Sequence, residues 1–262
     1  MIQSVQTKHG EMKYVRFGNP EGPSFVILPG LSLTGVTGAG EAIAAAYAEL
    51  AEDYDMILFD RITEFPAGYD LFTMADDAYE ALELAGIEHP VLMGVSQGGM
   101  LAQLIAVNHP EAVSALILCS TVPSMKGVDP AAFDEWQRLA EARDAAGLAE
   151  SFGRYVYTPE FFEQYKEPIL AQGQGVTELD FRNFLISLAA TRDFDVRDRL
   201  GTVTCPSFVL GAGEDRVLGV RGSYDLMELL GCEGYIYEGK GHGVYDEAPD
   251  YRSRIKTFLA AH

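Results

Sequence analysis

Four short apolar runs punctuate the first half of this chain: SFVIL at 24–28, MILF at 56–59, VLMGV at 91–95 and VSALILC at 113–119. None alternates strictly between apolar and polar residues, so each reads as a strand buried on both faces rather than one wetted on one side. Helical patterns separate them at 41–52, 72–85 and 98–108. Buried strands alternating with helices of about 10–15 residues allow few folds; right-handed βαβ units on a parallel sheet are the expected one. Two further strands are predicted at the start, 3–7 and 12–17, around the turn-like His9-Gly10.

The alternation stops after the fourth run. Between 123 and 202 only helical patterns occur, near 130–146, 148–155, 159–172 and 178–191. Strands then resume at 207–210 and 234–237, with helices at 223–230 and 249–259. The expected organisation is an α/β core formed by 1–122 and 203–262, with 123–202 inserted as a helical cap. A length of 262 residues fits one such large α/β domain.

Charge narrows the partners. The 39 Asp and Glu against 19 Lys and Arg give a net charge of −20, which repels phosphate backbones and anionic lipid surfaces. Neither nucleic acid nor membrane is expected as a partner, and a small molecule is. The first residues, MIQSVQTKHGEMKYVRFG, show no basic segment leading into an apolar one, and no apolar run approaches the roughly 18 residues of a membrane span. Cys119, Cys205 and Cys232 are widely separated and lack metal-ligand spacing. A reducing, cytoplasmic setting is expected, with no metal and no cofactor. Cys119 and Cys205 read as small buried apolar side chains.

One motif carries chemistry. Gly94-Val95-Ser96-Gln97-Gly98-Gly99 is a G-x-S-x-G pattern between a predicted strand and a predicted helix. A serine on so tight a turn is held in strained backbone geometry with its hydroxyl exposed, and small residues two places either side let the chain pass without clashes. The helix after it aims its positive end at developing negative charge. Serine needs a base, and there are five histidines. His9, His89, His109 and His262 fall in a hairpin turn, before a proline, at a helix end and at the chain end. His242 lies in the glycine-rich loop after the last predicted strand. Loops leaving the C-terminal ends of parallel strands converge, so His242 can meet Ser96. The acid that orients the imidazole is expected in Gly211-Ala212-Gly213-Glu214-Asp215. Asp215 is preferred, with Glu214 as the alternative.

With Ser96, Asp215 and His242 in that chain order, the sequence resembles the α/β-hydrolase superfamily. Within it, the likeness is to single-cap serine hydrolases such as small esterases, haloperoxidase-like enzymes and carbon–carbon bond hydrolases. The resemblance implies an eight-stranded, mostly parallel sheet with helices on both faces and a helical cap. It also implies an oxyanion hole made by the backbone N–H groups of Gln97 and Leu31. Relatives often place His-Gly before the second donor, where this chain has Pro29-Gly30-Leu31, leaving open what holds the loop.

The implied activity is hydrolysis of a small or medium carboxylic ester, or related acyl bond, through an acyl-enzyme on Ser96. Carbon–carbon hydrolysis, perhydrolysis with the same triad, or a non-hydrolytic receptor on the same fold are the alternatives. Nine aromatic residues of the insert (Trp136, Phe152, Tyr155, Tyr157, Phe161, Phe162, Tyr165, Phe181 and Phe184) suggest an apolar roof over a partly apolar, neutral substrate. Arg61, the only Lys or Arg between 17 and 125 among 15 acidic residues, is expected in an internal ion pair.

Overall fold

The computed structural model describes residues 2–262. Eight strands, β1 (Ile2–Gln6), β2 (Glu11–Gly18), β3 (Ser24–Leu28), β4 (Asp55–Ile62), β5 (Val91–Val95), β6 (Ala115–Cys119), β7 (Ser207–Ala212) and β8 (Glu233–Tyr237), form one sheet. The strand order is β1-β2-β4-β3-β5-β6-β7-β8. β2 runs antiparallel to β1 and β4, and every other pair is parallel. The expected mostly parallel eight-stranded sheet is therefore present. β3 pairs with both β4 and β5, so the chain reverses its direction of travel across the sheet there. Such a reversal opens a crevice at the C-terminal strand ends, and the ends of β3 and β5 carry Pro29-Gly30-Leu31 and Ser96.

Alternate residues of the buried strands feed two cores. Val26, Leu28, Ile57, Phe59 and Leu92 face α3 (Leu71–Leu84) and α4 (Gln97–Asn108). Phe25, Ile27, Met56, Leu58 and Met93 face the opposite side, against Tyr47, Leu50, Tyr251, Ile255 and Phe258. Those partners come from the short pair α1 (Gly40–Ala46) and α2 (Ala48–Ala51) and from a C-terminal helix, Tyr251–Ala261. Every residue of α4 from Gln97 to Val107 is buried, as a helix wedged between a sheet and other helices must be.

Between β6 and β7 lie five α-helices and no strand of the sheet: α5 (Ala131–Glu141), α6 (Ala145–Val156), α7 (Pro159–Gln164), α8 (Lys166–Ala171) and α9 (Glu178–Thr191). The insertion closes on itself where it leaves the sheet. Met125 N–H donates to Phe194 O at 2.8 Å and Val196 N–H to Pro123 O at 3.0 Å. Three helices, α10 (Arg221–Leu230), α11 (Val244–Glu247) and α12 (Tyr251–Ala261), complete the chain. Among the described residues no helix is long and apolar enough to cross a membrane.

Local chemistry breaks three of the expected helices. The run 41–52 divides at Tyr47 (φ −98°, ψ 15°). The run 159–172 divides at Tyr165, because Pro168 has no N–H to offer the carbonyl one turn back. The run 130–146 ends early: Arg143 takes φ 58° and Asp144 caps a new helix by accepting from Gly147 N–H at 2.8 Å. Cys119 is buried as expected, and burial pushes its thiol up to about 12. Cys205 is only partly buried, just before β7.

Candidate active site

β5 turns into α4 at Ser96, whose φ of 52° and ψ of −120° lie outside the comfortable range of a non-glycine residue. Its neighbours are small because nothing larger fits. A Cβ on Gly94 would stand 2.4 Å from Gly98 O, and one on Gly98 would stand 2.0 Å from Leu28 O. The strained residue is held on both sides. Ser96 N–H donates to Cys119 O at 2.9 Å, and Ser96 O accepts from the Thr121 hydroxyl at 2.8 Å. Nothing in the local motif points to Thr121, which lies 25 residues downstream.

β7 delivers the acid. Asp215 Oδ2 accepts from His242 Nδ1 at 2.8 Å, with the two side chains only 3% and 5% exposed. An ionised carboxylate only accepts, so the imidazole carries its proton on Nδ1 and leaves Nε2 free as a base. Asp215 Oδ1 takes the N–H groups of Val217 and Leu218 at 2.8 and 2.9 Å. Burial disfavours the Asp215 charge, but His242 beside it and these amide donors outweigh that cost and hold its pKa below the usual carboxylate range. Glu214 is exposed, and its backbone N–H bonds to Lys240 O. Of the two adjacent carboxylates, Asp215 is the one that reaches His242.

The His242 loop comes after β8 and is stitched to the inserted helices. Gly243 N–H donates to Val156 O at 2.8 Å. Buried Glu247, on the unforeseen short helix α11, accepts from Thr158 N–H at 2.7 Å, Thr158 Oγ1 at 3.1 Å and Gly241 N–H at 3.4 Å. Ser96 and His242 line one cavity of about 590 Å³. No direct hydrogen bond joins them, a spacing common before substrate completes a catalytic geometry.

The two expected oxyanion donors flank the serine. Gly30 packs so closely that a Cβ there would lie 3.2 Å from Ser96 Cβ, which brings Leu31 alongside. Gln97 is the first residue of α4, so its N–H has no acceptor within the helix. Both residues border the cavity.

Phe133, Trp136, Phe152, Val156 and Ile169 supply much of the cavity's apolar lining. Of the nine aromatic residues singled out in the sequence, Trp136, Phe152 and Tyr157 reach the cavity, joined by the unforeseen Phe133. Trp136 stacks on Phe152 with ring centroids 4.1 Å apart. Several others pack within the insertion, as Phe161 does on Tyr165 at 4.5 Å.

The expected ion pair of Arg61 does not form. Its neighbour Asp60 accepts instead from Thr37 N–H, Thr37 Oγ1 and the Arg61 backbone N–H. The Arg61 guanidinium donates to Pro29 O at 2.8 Å and Gln97 Oε1 at 3.3 Å. A bulge in β4 is the cause. Between the pairs Met12–Ile62 and Tyr14–Phe59, Asp60 and Arg61 together face the single residue Lys13. Bulges of this kind re-aim side chains, and this one turns Arg61 toward the end of β3.

Residues 23–249 match the family model described as alpha/beta hydrolase fold. Relatives in sequence include a protein named "Putative carbamate hydrolase RutD" from Klebsiella pneumoniae, 29% identical over 205 residues and 75% of each chain. A protein of the same name from Cronobacter sakazakii is 26% identical over 253 residues, 92% of each chain. In structure, the chain is similar to the enol-lactonase of Burkholderia xenovorans LB400, with a TM-score of 0.85 at 16% identity over 98% of this chain and 100% of that one. It is similar also to a thermophilic esterase of Thermogutta terrifontis, with a TM-score of 0.81 at 20% identity over 100% and 98%. At such identities the structural likeness concerns the fold.

Proposed function

This chain belongs to the alpha/beta hydrolase fold family, and from that premise we propose that it is a serine hydrolase of small or medium acyl substrates, with Ser96 as nucleophile, His242 as base and Asp215 as the acid that orients it. The observation that carries the proposal is the His242–Asp215 hydrogen bond at 2.8 Å beside a strained serine, both opening on one largely apolar cavity.

Ser96 Oγ attacks the acyl carbon as His242 Nε2 takes its proton, and Asp215 steadies the imidazolium. The N–H groups of Leu31 and Gln97 receive the oxyanion. The protonated imidazole then donates to the leaving group, and a water molecule activated by His242 cleaves the acyl-enzyme. The helices between 123 and 202 act as the cap, their aromatic residues enclosing the acyl group. A partly apolar carboxylic ester suits this cavity best, and the name borne by the sequence relatives adds carbamates to the acyl bonds worth testing.

The test is a series of p-nitrophenyl esters of increasing chain length, with an aryl carbamate beside them, run against wild type and Ser96→Ala. Turnover with a chain-length optimum that vanishes in the variant is the expected result. Hydrolysis undiminished in Ser96→Ala contradicts the mechanism. Stoichiometric labelling without turnover would mark a small-molecule receptor instead.

A further inference from the structure

The oxyanion loop of this chain, Pro29-Gly30-Leu31, has no histidine to hold it, and the structure shows what does. Arg61 Nη2 donates both to Pro29 O, two residues before Leu31, and to the side chain of Gln97. One nitrogen thus ties together the two segments that carry the proposed oxyanion donors.

The tie continues into the inserted helices. Gln97 Nε2 donates to Ser187 O at 3.0 Å and Thr191 Oγ1 at 2.9 Å, and Gln97 Oε1 accepts from Ser187 Oγ at 3.0 Å. Gln97 is 2% exposed, so these bonds form away from competing water and fix its side chain. Arg61 Nε is buried with no hydrogen-bond partner. A guanidinium placed here only for stability would be expected to satisfy that donor or to meet a carboxylate. Burial pushes Arg61 down to about 10, which still leaves it charged at neutral pH.

We propose that Arg61 is the positioning residue of the oxyanion hole: its bridge from Pro29 O to Gln97 Oε1 sets the separation of the Leu31 and Gln97 amides, and Gln97 links that setting to α9. The inference rests on the serine-hydrolase reading of Ser96. It assigns Arg61 a role felt when charge develops on the carbonyl oxygen, so its loss acts on the transition state more than on substrate binding.

The experiment compares wild type, Arg61→Lys and Arg61→Met on a p-nitrophenyl ester and on its thiono analogue, in which C=S replaces C=O. Sulfur is a weak hydrogen-bond acceptor, so the thiono ester depends little on the hole. With the ester, Arg61→Met should lose about 10²-fold in kcat with KM within about twofold, as misplacement of a catalytic group by an ångström does. The thiono ester should lose far less, so the oxo-to-thiono rate ratio collapses. Arg61→Lys keeps the charge, but its ammonium sits on a shorter side chain than Arg61 Nη2 and holds the bridge less well, so it should fall between. If Arg61→Met does not fold, Gln97→Leu, which removes one leg of the bridge, should show the same selective loss on a smaller scale.

Equal losses on both substrates, or no loss, would overturn the proposal. Wild-type protein that hydrolyses the ester and is labelled at Ser96 by a fluorophosphonate upholds the parent reading whatever Arg61 does. Wild type that does neither removes both.

Discussion

Asp215→Asn isolates the acid without changing its shape, and the hydrogen bonds around it dictate how the variant must sit. Asp215 Oδ1 accepts two backbone N–H groups, from Val217 at 2.8 Å and Leu218 at 2.9 Å. A carboxamide placed there must keep its oxygen on that side, because turning its NH₂ toward two donors would leave buried groups unpaired at about 1–3 kcal/mol each. The NH₂ then faces His242 Nδ1, where Asp215 Oδ2 accepts at 2.8 Å in the wild type. Nδ1 is forced to accept, the ring proton moves to Nε2, and the nitrogen that should take the Ser96 proton is already occupied. In a serine protease with a Ser-His-Asp triad this wrong tautomer costs about 10⁴-fold in kcat, or about 5.4 kcal/mol of barrier. The fold loses less: the two amide bonds survive, so a destabilisation of about 1 kcal/mol and a Tm shift of roughly 2–4 °C are expected. The assay is p-nitrophenyl ester turnover with KM and Tm alongside, and Glu214→Gln as the exposed control. The reasoning is refuted if Asp215→Asn keeps more than about a tenth of wild-type kcat, or if Glu214→Gln costs as much.

The same geometry sets two further outcomes. In Gly98→Ala the new methyl would lie 2.0 Å from Leu28 O and 2.5 Å from Pro29 O, both backbone atoms that cannot rotate aside; overpacking of about 1–3 kcal/mol should lower Tm by roughly 2–12 °C and distort the Pro29-Gly30-Leu31 loop. Gly38→Ala, with nothing within 4 Å of its Cβ, should leave Tm and activity near wild type, and equal effects at the two glycines would contradict the packing argument. The depressed pKa of Asp215 also has a sign for stability. Its contribution is complete above the unfolded value of about 3.9 and is lost as pH falls through the lower folded value. Thermal scans of Asp215→Asn should therefore show a shallower acid limb below about pH 4 than wild type, and parallel curves would speak against it.

What was legible in the sequence is what short-range chemistry encodes. SFVIL, MILF and VLMGV announce buried strands because burial on both faces removes every polar residue from them. Gly94, Ser96 and Gly98 announce the turn because only small residues clear Gly98 O and Leu28 O. That Asp215 and His242 meet could be read from their loops, since loops at the C-terminal ends of parallel strands share one crevice. Helix ends were less legible: periodicity continues through Tyr165, while Pro168 and a local backbone change divide the run. Least legible were contacts between distant residues. Nothing near Gln97 points to Ser187 or Thr191, some 90 residues on. Nothing near Thr158 points to Glu247. Arg61, the one base in a long acidic stretch, looked like half of an ion pair, and the bulge that turns it toward the end of β3 instead depends on the register between β2 and β4.

These long-range bonds also bear on how the inserted helices sit. α9 is tied to the residue after Ser96 through Gln97, and the start of α7 is tied to the His242 loop through Glu247. The insertion is thus fastened to both sides of the proposed catalytic group, and substitutions within it should be felt at Ser96 and His242 even where they touch no substrate.

The central claim is a covalent acyl-enzyme on Ser96. Rapid acid quenching of the enzyme during turnover of a p-nitrophenyl ester, with intact-mass and peptide mass spectrometry of the quenched protein, tests it most directly. The account predicts an adduct of the acyl mass on the peptide containing Ser96, absent in Ser96→Ala. An adduct on another residue, or full turnover by Ser96→Ala, would contradict it.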